Sequence, residues 1–134
     1  MKSIKIVIVA FVLALVSVSC SKSSDSPAAA PVPATIEGTW VGKFGTDNSK
    51  PSVYYSLNFK AGGILEEITQ SGEVKGKGTW KLDNNIIYGS YNYVAPPNNK
   101  YSIIGAFDSK KGQILGNWGY GSSSTNGGLW EMTK

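Results

Sequence analysis

The sequence predicts an all-β domain, an eight-stranded antiparallel up-and-down β-barrel, and three observations carry that expectation. Residues 36–134 hold all 16 glycines and read as short aromatic and β-branched runs with no helical period. Clusters of Gly, Asn, Asp and Ser separate those runs at the roughly 8–12-residue spacing of hairpin-connected strands. The runs number eight, and closing an eight-strand meander removes its edges while leaving an interior for side chains or one small ligand.

Taken in order, the runs assign their own faces, because residues two apart on a strand share a side. The first, 39–44, places Trp40 and Phe44 inward, and the second, 53–59, places Val53, Tyr55, Leu57 and Phe59 there. The third, 64–70, follows Gly62-Gly63. Whether the turn takes two residues or four, Ile64, Glu66 and Ile68 are expected inside, which makes Glu66 an interior carboxylate. The fourth, 75–82, puts Lys75, Lys77, Thr79 and Lys81 in water and Gly76, Gly78, Trp80 and Leu82 inside. The fifth, 86–94, follows Asp83-Asn84-Asn85 and offers Tyr91 and Tyr93 to the interior. Beyond the Pro96-Pro97-Asn98-Asn99 turn, 100–108 contributes Tyr101, Ile103 and Phe107. Ile114 and Trp118 come from 113–120, and Trp130 and Met132 from 129–133. The Ser- and Gly-rich stretch 123–128 reads as a flexible connection between the last two strands.

The first 35 residues have a different character. Lys2 and Lys5 precede the run 6–18, in which only Ser17 is not apolar. At ~1.5 Å per residue that run spans roughly 20 Å, short of a ~30 Å hydrocarbon core, as expected for a signal peptide. Ser17-Val18-Ser19-Cys20 then resembles the lipobox of bacterial lipoproteins, although position 17 is Ser where an aliphatic residue is commonest. The resemblance implies cleavage after residue 19 and acylation of Cys20, the sole cysteine, so that acyl groups make the membrane a partner. Residues 20–35, with three prolines and no aromatic, read as a lipidated cysteine and a disordered tether. The expected address is the bacterial cell envelope, at the outer membrane, facing the periplasm or the exterior.

Composition removes several function classes. All 13 basic residues are lysines, with no histidine and no arginine, against 9 acids. A histidine-based triad, His-ligated zinc and guanidinium readout of phosphate or guanine are therefore out of reach, and neither catalysis nor nucleic-acid binding is expected. Removal of Lys2 and Lys5 with the signal halves the excess charge. Glu66 and Glu67, adjacent on one strand, face opposite sides and cannot bracket a bond. Asp47-Asn48 and Asp83-Asn84-Asn85 are explained by turn chemistry more simply than by a metal.

Four Gly-x-Trp copies mark the domain: Gly38-Thr39-Trp40, Gly78-Thr79-Trp80, Gly116-Asn117-Trp118 and Gly128-Leu129-Trp130. Each glycine allows strong curvature or the close approach of an indole from another strand. The opening Gly-Thr-Trp and the closing Gly-Leu-Trp-Glu-Met resemble the small bacterial lipocalin-like (calycin) domains, over residues 36–134. In larger lipocalins an arginine packs on the first-strand tryptophan; this chain has none, and Lys134 is the available substitute without the planar group.

The barrel reading makes Trp40, Tyr55, Glu66, Trp80, Tyr91, Tyr93 and Trp118 the candidate ligand-binding residues, with no cofactor and no metal. The expected function is a monomeric, non-catalytic lipoprotein binding a small apolar or amphiphilic molecule. The alternative is an envelope inhibitor, of the protease or lysozyme type, or a surface module acting through loops or tether. Interior volume separates the two.

Overall fold

The computed structural model describes residues 35–134; the expected signal peptide, Cys20 and nearly all of the expected tether lie outside them. The chain forms eight strands: β1 Gly38–Phe44, β2 Val53–Lys60, β3 Ile64–Ile68, β4 Val74–Asp83, β5 Ile86–Tyr93, β6 Lys100–Asp108, β7 Gln113–Tyr120 and β8 Gly128–Thr133. Each pairs antiparallel with the next, and β8 returns to β1, so the sheet is a closed up-and-down barrel.

The predicted alternation holds for seven of the eight strands, although Val53 and Leu82, expected inside, lie at strand ends 52% and 39% exposed. Trp40, Leu57, Phe59, Ile87, Ile103, Ile114, Trp130 and Met132 are all essentially without solvent contact. β3 is the exception. Its hairpin with β2 is closed by a three-residue 3-10 turn, Ala61–Gly63, in which Gly62 and Gly63 both take φ +76°, a left-handed conformation that glycine adopts without steric cost. The register is therefore Lys60↔Ile64, Phe59↔Leu65 and Leu57↔Glu67. An odd-length turn reverses the parity of the strand that it leads into, here β3. Leu65 and Glu67 face inward; Ile64 and Glu66 face outward, where the Glu66 carboxylate pairs with Lys60 at 2.7 Å.

Lys75 also departs from its expected place. The β3–β4 ladder slips between Glu67 and Ile68, with Glu67↔Gly76 followed by Ile68↔Val74, so Lys75 sits opposite no partner on β3. Its side chain, still 44% exposed, reaches across the barrel mouth to Glu67, with Nζ 2.9 Å from Glu67 Oε1.

One of the uses proposed for the Gly-x-Trp glycines, room for an indole from another strand, occurs at Gly116, and close backbone approach is a further one. A Cβ on Gly116 would lie 2.8 Å from the Trp130 indole, and one on Gly105 2.7 Å from it, so these two glycines house an indole from β8. A Cβ on Gly78 would fall 1.9 Å from the Ser90 carbonyl, so here the glycine lets two strand backbones close up. The stretch 123–128 is pinned, contrary to its expected flexibility: Asn126 Oδ1 accepts the Tyr120 N–H at 2.8 Å, Gly127 N donates to Trp118 O at 2.9 Å, and Asp47 N donates to Gly127 O at 2.7 Å.

The two barrel ends are unlike. One carries the tight turns 61–63, 84–85 and 109–112 together with the entry and exit of the chain at Gly38 and Thr133. The other carries the longer loops 45–52, 69–73, 94–99 and 121–127.

Candidate functional site

The end bearing the tight turns is filled. Trp40 lies across it, its ring edge-on to Phe107 at 5.7 Å and its Nε1 donating to Ile36 O at 2.7 Å. Lys134 stands over the Trp40 ring at 5.6 Å and donates to the carbonyls of Thr35 and Glu37. Trp80 packs edge-on to Phe59 at 5.4 Å and donates to Lys60 O at 2.9 Å. Trp40 and Trp80 are therefore parts of a plug, remote from any opening at the other end.

At that other end the same inward alternation places larger, partly polar rings, and they leave a cup of about 210 Å³. Phe44 from β1, Tyr55 from β2, Tyr91 and Tyr93 from β5, Tyr101 from β6, and Trp118 and Tyr120 from β7 form its wall, with Thr46 at the rim. The rings hold one another: Phe44 meets Tyr55 at 5.7 Å and Trp118 at 5.5 Å, and Tyr93 meets Tyr101 at 4.7 Å. Trp118 is tied to the β1–β2 loop by its Nε1, which donates to Gly45 O at 2.8 Å.

A polar network lies behind this wall. The Tyr55 and Tyr91 hydroxyls are hydrogen-bonded to each other at 2.9 Å. Glu67 is buried against Tyr91: one carboxylate oxygen receives Lys75, and the other, Oε2, has no hydrogen-bond partner. Lys75 Nζ also lies 4.4 Å from the centre of the Tyr93 ring. Burial pushes the Tyr55 and Tyr91 hydroxyls well above the ordinary tyrosine range. The Glu67 charge adds to this at Tyr55, and the charges of Tyr55 and Glu67 add to it at Tyr91. Burial alone would lower the Lys75 ammonium, but the Tyr93 hydroxyl and the Glu67 carboxylate outweigh it and the group is raised, hence firmly cationic.

Of the seven residues read as ligand-binding from the sequence, Tyr55, Tyr91, Tyr93 and Trp118 come together in the cup. Trp40 and Trp80 belong to the plug, and Glu66 points away from the interior, where it is buried, 8% exposed, against Lys60. Glu67, Lys75, Thr46 and Tyr120 were not anticipated as site residues. Tyr101 and Phe44 follow directly from the parity that placed them inside.

No family model matches the chain, and neither the curated proteins nor the solved structures yield a match to it.

Proposed function

We propose that the protein is a lipid-anchored, non-catalytic lipoprotein of the cell envelope with a lipocalin-like barrel, and that its aromatic cup receives a small soluble molecule. The observation that carries this reading is the polarity of the barrel. The chain enters at the plugged end, so the cup opens at the barrel end opposite the point where the tether joins. The cup is smaller than the ~300–1,000 Å³ typical of pockets for drug-sized ligands, which favours a compact ligand over a long acyl chain. Lys134 over Trp40, at the barrel end where the family carries its arginine, supports the lipocalin-like assignment.

Native mass spectrometry of the full chain purified from its own cells tests the cup. The wild type is expected to carry a small-molecule adduct, and Thr46→Trp, which places an indole across the rim, is expected to lose it. An adduct that persists in Thr46→Trp, or a long-chain fatty acid as the adduct, would refute the reading. Cys20→Ala is expected to abolish acyl labelling and membrane fractionation; unchanged fractionation would remove the anchor from the account.

A further inference from the structure

We propose that the cup recognises an organic ammonium ion, and that Lys75 is a built-in stand-in which such a cation displaces. The inference rests on the reading of the cup as a ligand site and adds the ligand's charge. Three features point the same way. The wall presents aromatic faces, whose negative quadrupole favours a cation. Glu67, which lies behind that wall against Tyr91, is only 6% exposed and keeps an oxygen, Oε2, without a hydrogen-bond partner among the described residues. The third is Lys75 itself, whose ammonium sits between the Glu67 carboxylate at 2.9 Å and the Tyr93 ring at 4.4 Å.

Lys75 thus demonstrates the chemistry that the site accepts. Its side chain remains 44% exposed, so the ammonium reaches Glu67 from the rim and can withdraw to water by the same route. A ligand ammonium following that route meets the Glu67 charge and the Tyr93 ring in place of Lys75, by charge and cation–π contact alone where, as in choline, it has no N–H to donate. A buried carboxylate that loses its only cation is strongly disfavoured, so Glu67 is not left empty: it exchanges one ammonium for another. An anion finds no cation there except the one already paired, and a neutral molecule gains nothing from Glu67.

Choline and its uncharged isostere 3,3-dimethylbutan-1-ol, titrated into the full chain in detergent and followed by Trp118 emission and calorimetry, separate charge from shape. Choline is expected to bind at least about tenfold more tightly than the alcohol. Lys75→Met, which removes the competitor and keeps the aliphatic stem, should tighten choline about tenfold and leave the alcohol unchanged. Glu67→Gln should weaken choline by a similar factor. Equal binding of the alcohol and choline would overturn the charge assignment while leaving the cup intact. Failure of choline to bind even Lys75→Met would overturn it whatever adduct the native protein carries, since the adduct alone decides the cup.

Discussion

The two ends of this barrel are built from the same alternation and come to opposite results. At the plugged end the inward positions include Trp40, Phe59, Leu65, Ile87 and Ile114, each fully buried and each apolar or with its one polar atom bonded to backbone, with Trp80 half-buried at the edge. At the open end they are Phe44, Tyr55, Tyr91, Tyr93, Tyr101 and Trp118, four of them tyrosines with a hydroxyl to satisfy. A tyrosine near the barrel axis keeps its hydroxyl in water or in a network, and either choice leaves the ring short of the tight packing that aliphatic side chains reach. The end without hydroxyls closes; the end with them stays open. Stability is concentrated in the first and binding capacity in the second.

The largest expected effect tests that division directly. Trp40→Ala removes the plug's central ring and should destabilise the domain by about 3–5 kcal/mol. Tyr101→Ala takes an aromatic of comparable size from the half-buried cup wall and should cost about 1–2 kcal/mol, because the space it leaves is continuous with solvent. Urea titration of both variants measures the contrast. Equal losses would mean that the cup is as much a structural core as the plug.

The contrast also explains what the sequence made legible. Seven strands reveal their faces because most of their aromatic residues and the inward aliphatic ones share one parity, with glycine at positions between, as in Tyr101, Ile103, Gly105 and Phe107. β3 does not. Ile64-Leu65-Glu66-Glu67-Ile68 offers aliphatic and acidic residues to both sides, and the face with more aliphatics, Ile64 and Ile68, is the one that ends outside. Only the length of the Ala61–Gly63 turn decides the matter, and a Gly-Gly pair is compatible with two, three or four turn residues. The slip that frees Lys75 is likewise invisible, since Lys75 alternates correctly with Gly76. The polar half of the site therefore lay one residue away from where parity put it, while its aromatic half could be read directly.

A second, smaller effect sharpens the comparison through pH. Tyr55 and Tyr91 stand at the base of the cup with raised pKa values, burial being the main cause. Below pH 10.0 the hydroxyl is neutral in both folded and unfolded chains and nothing is lost. As pH rises above that value the unfolded chain ionises first, so each such tyrosine lowers stability by about 1.4 kcal/mol per pH unit until its folded value is reached. The stability curve should therefore be flat up to about pH 10 and fall steeply beyond it. Tyr91→Phe should make the fall shallower by one tyrosine's share, whatever it costs at neutral pH. A slope unaltered in Tyr91→Phe would place that hydroxyl in water and open the cup further than its geometry allows.

The smallest effect belongs to the plugged end, where it separates turn chemistry from packing. Asp108 closes the β6–β7 turn: its Oδ1 accepts the backbone N–H groups of Lys110 at 3.0 Å and Lys111 at 3.1 Å, and the Lys111 ammonium lies 3.6 Å from Oδ2. The Lys111 backbone N–H is the chief reason that its carboxyl is held below the ordinary 3.8, and Lys110 adds to it against a slight opposing burial. A depressed folded value contributes stability above the unfolded pKa and loses it as pH falls through the folded one. Asp108→Asn should accordingly flatten the acid limb of the stability curve below about pH 4, with a small loss at neutral pH and no change in cup binding. The carboxylate is fully exposed, so solvent screening keeps the effect well below that of Tyr101→Ala. If Asp108→Asn costs as much as Tyr101→Ala, the tight turns, and not the aromatic plug, would be what holds that end shut.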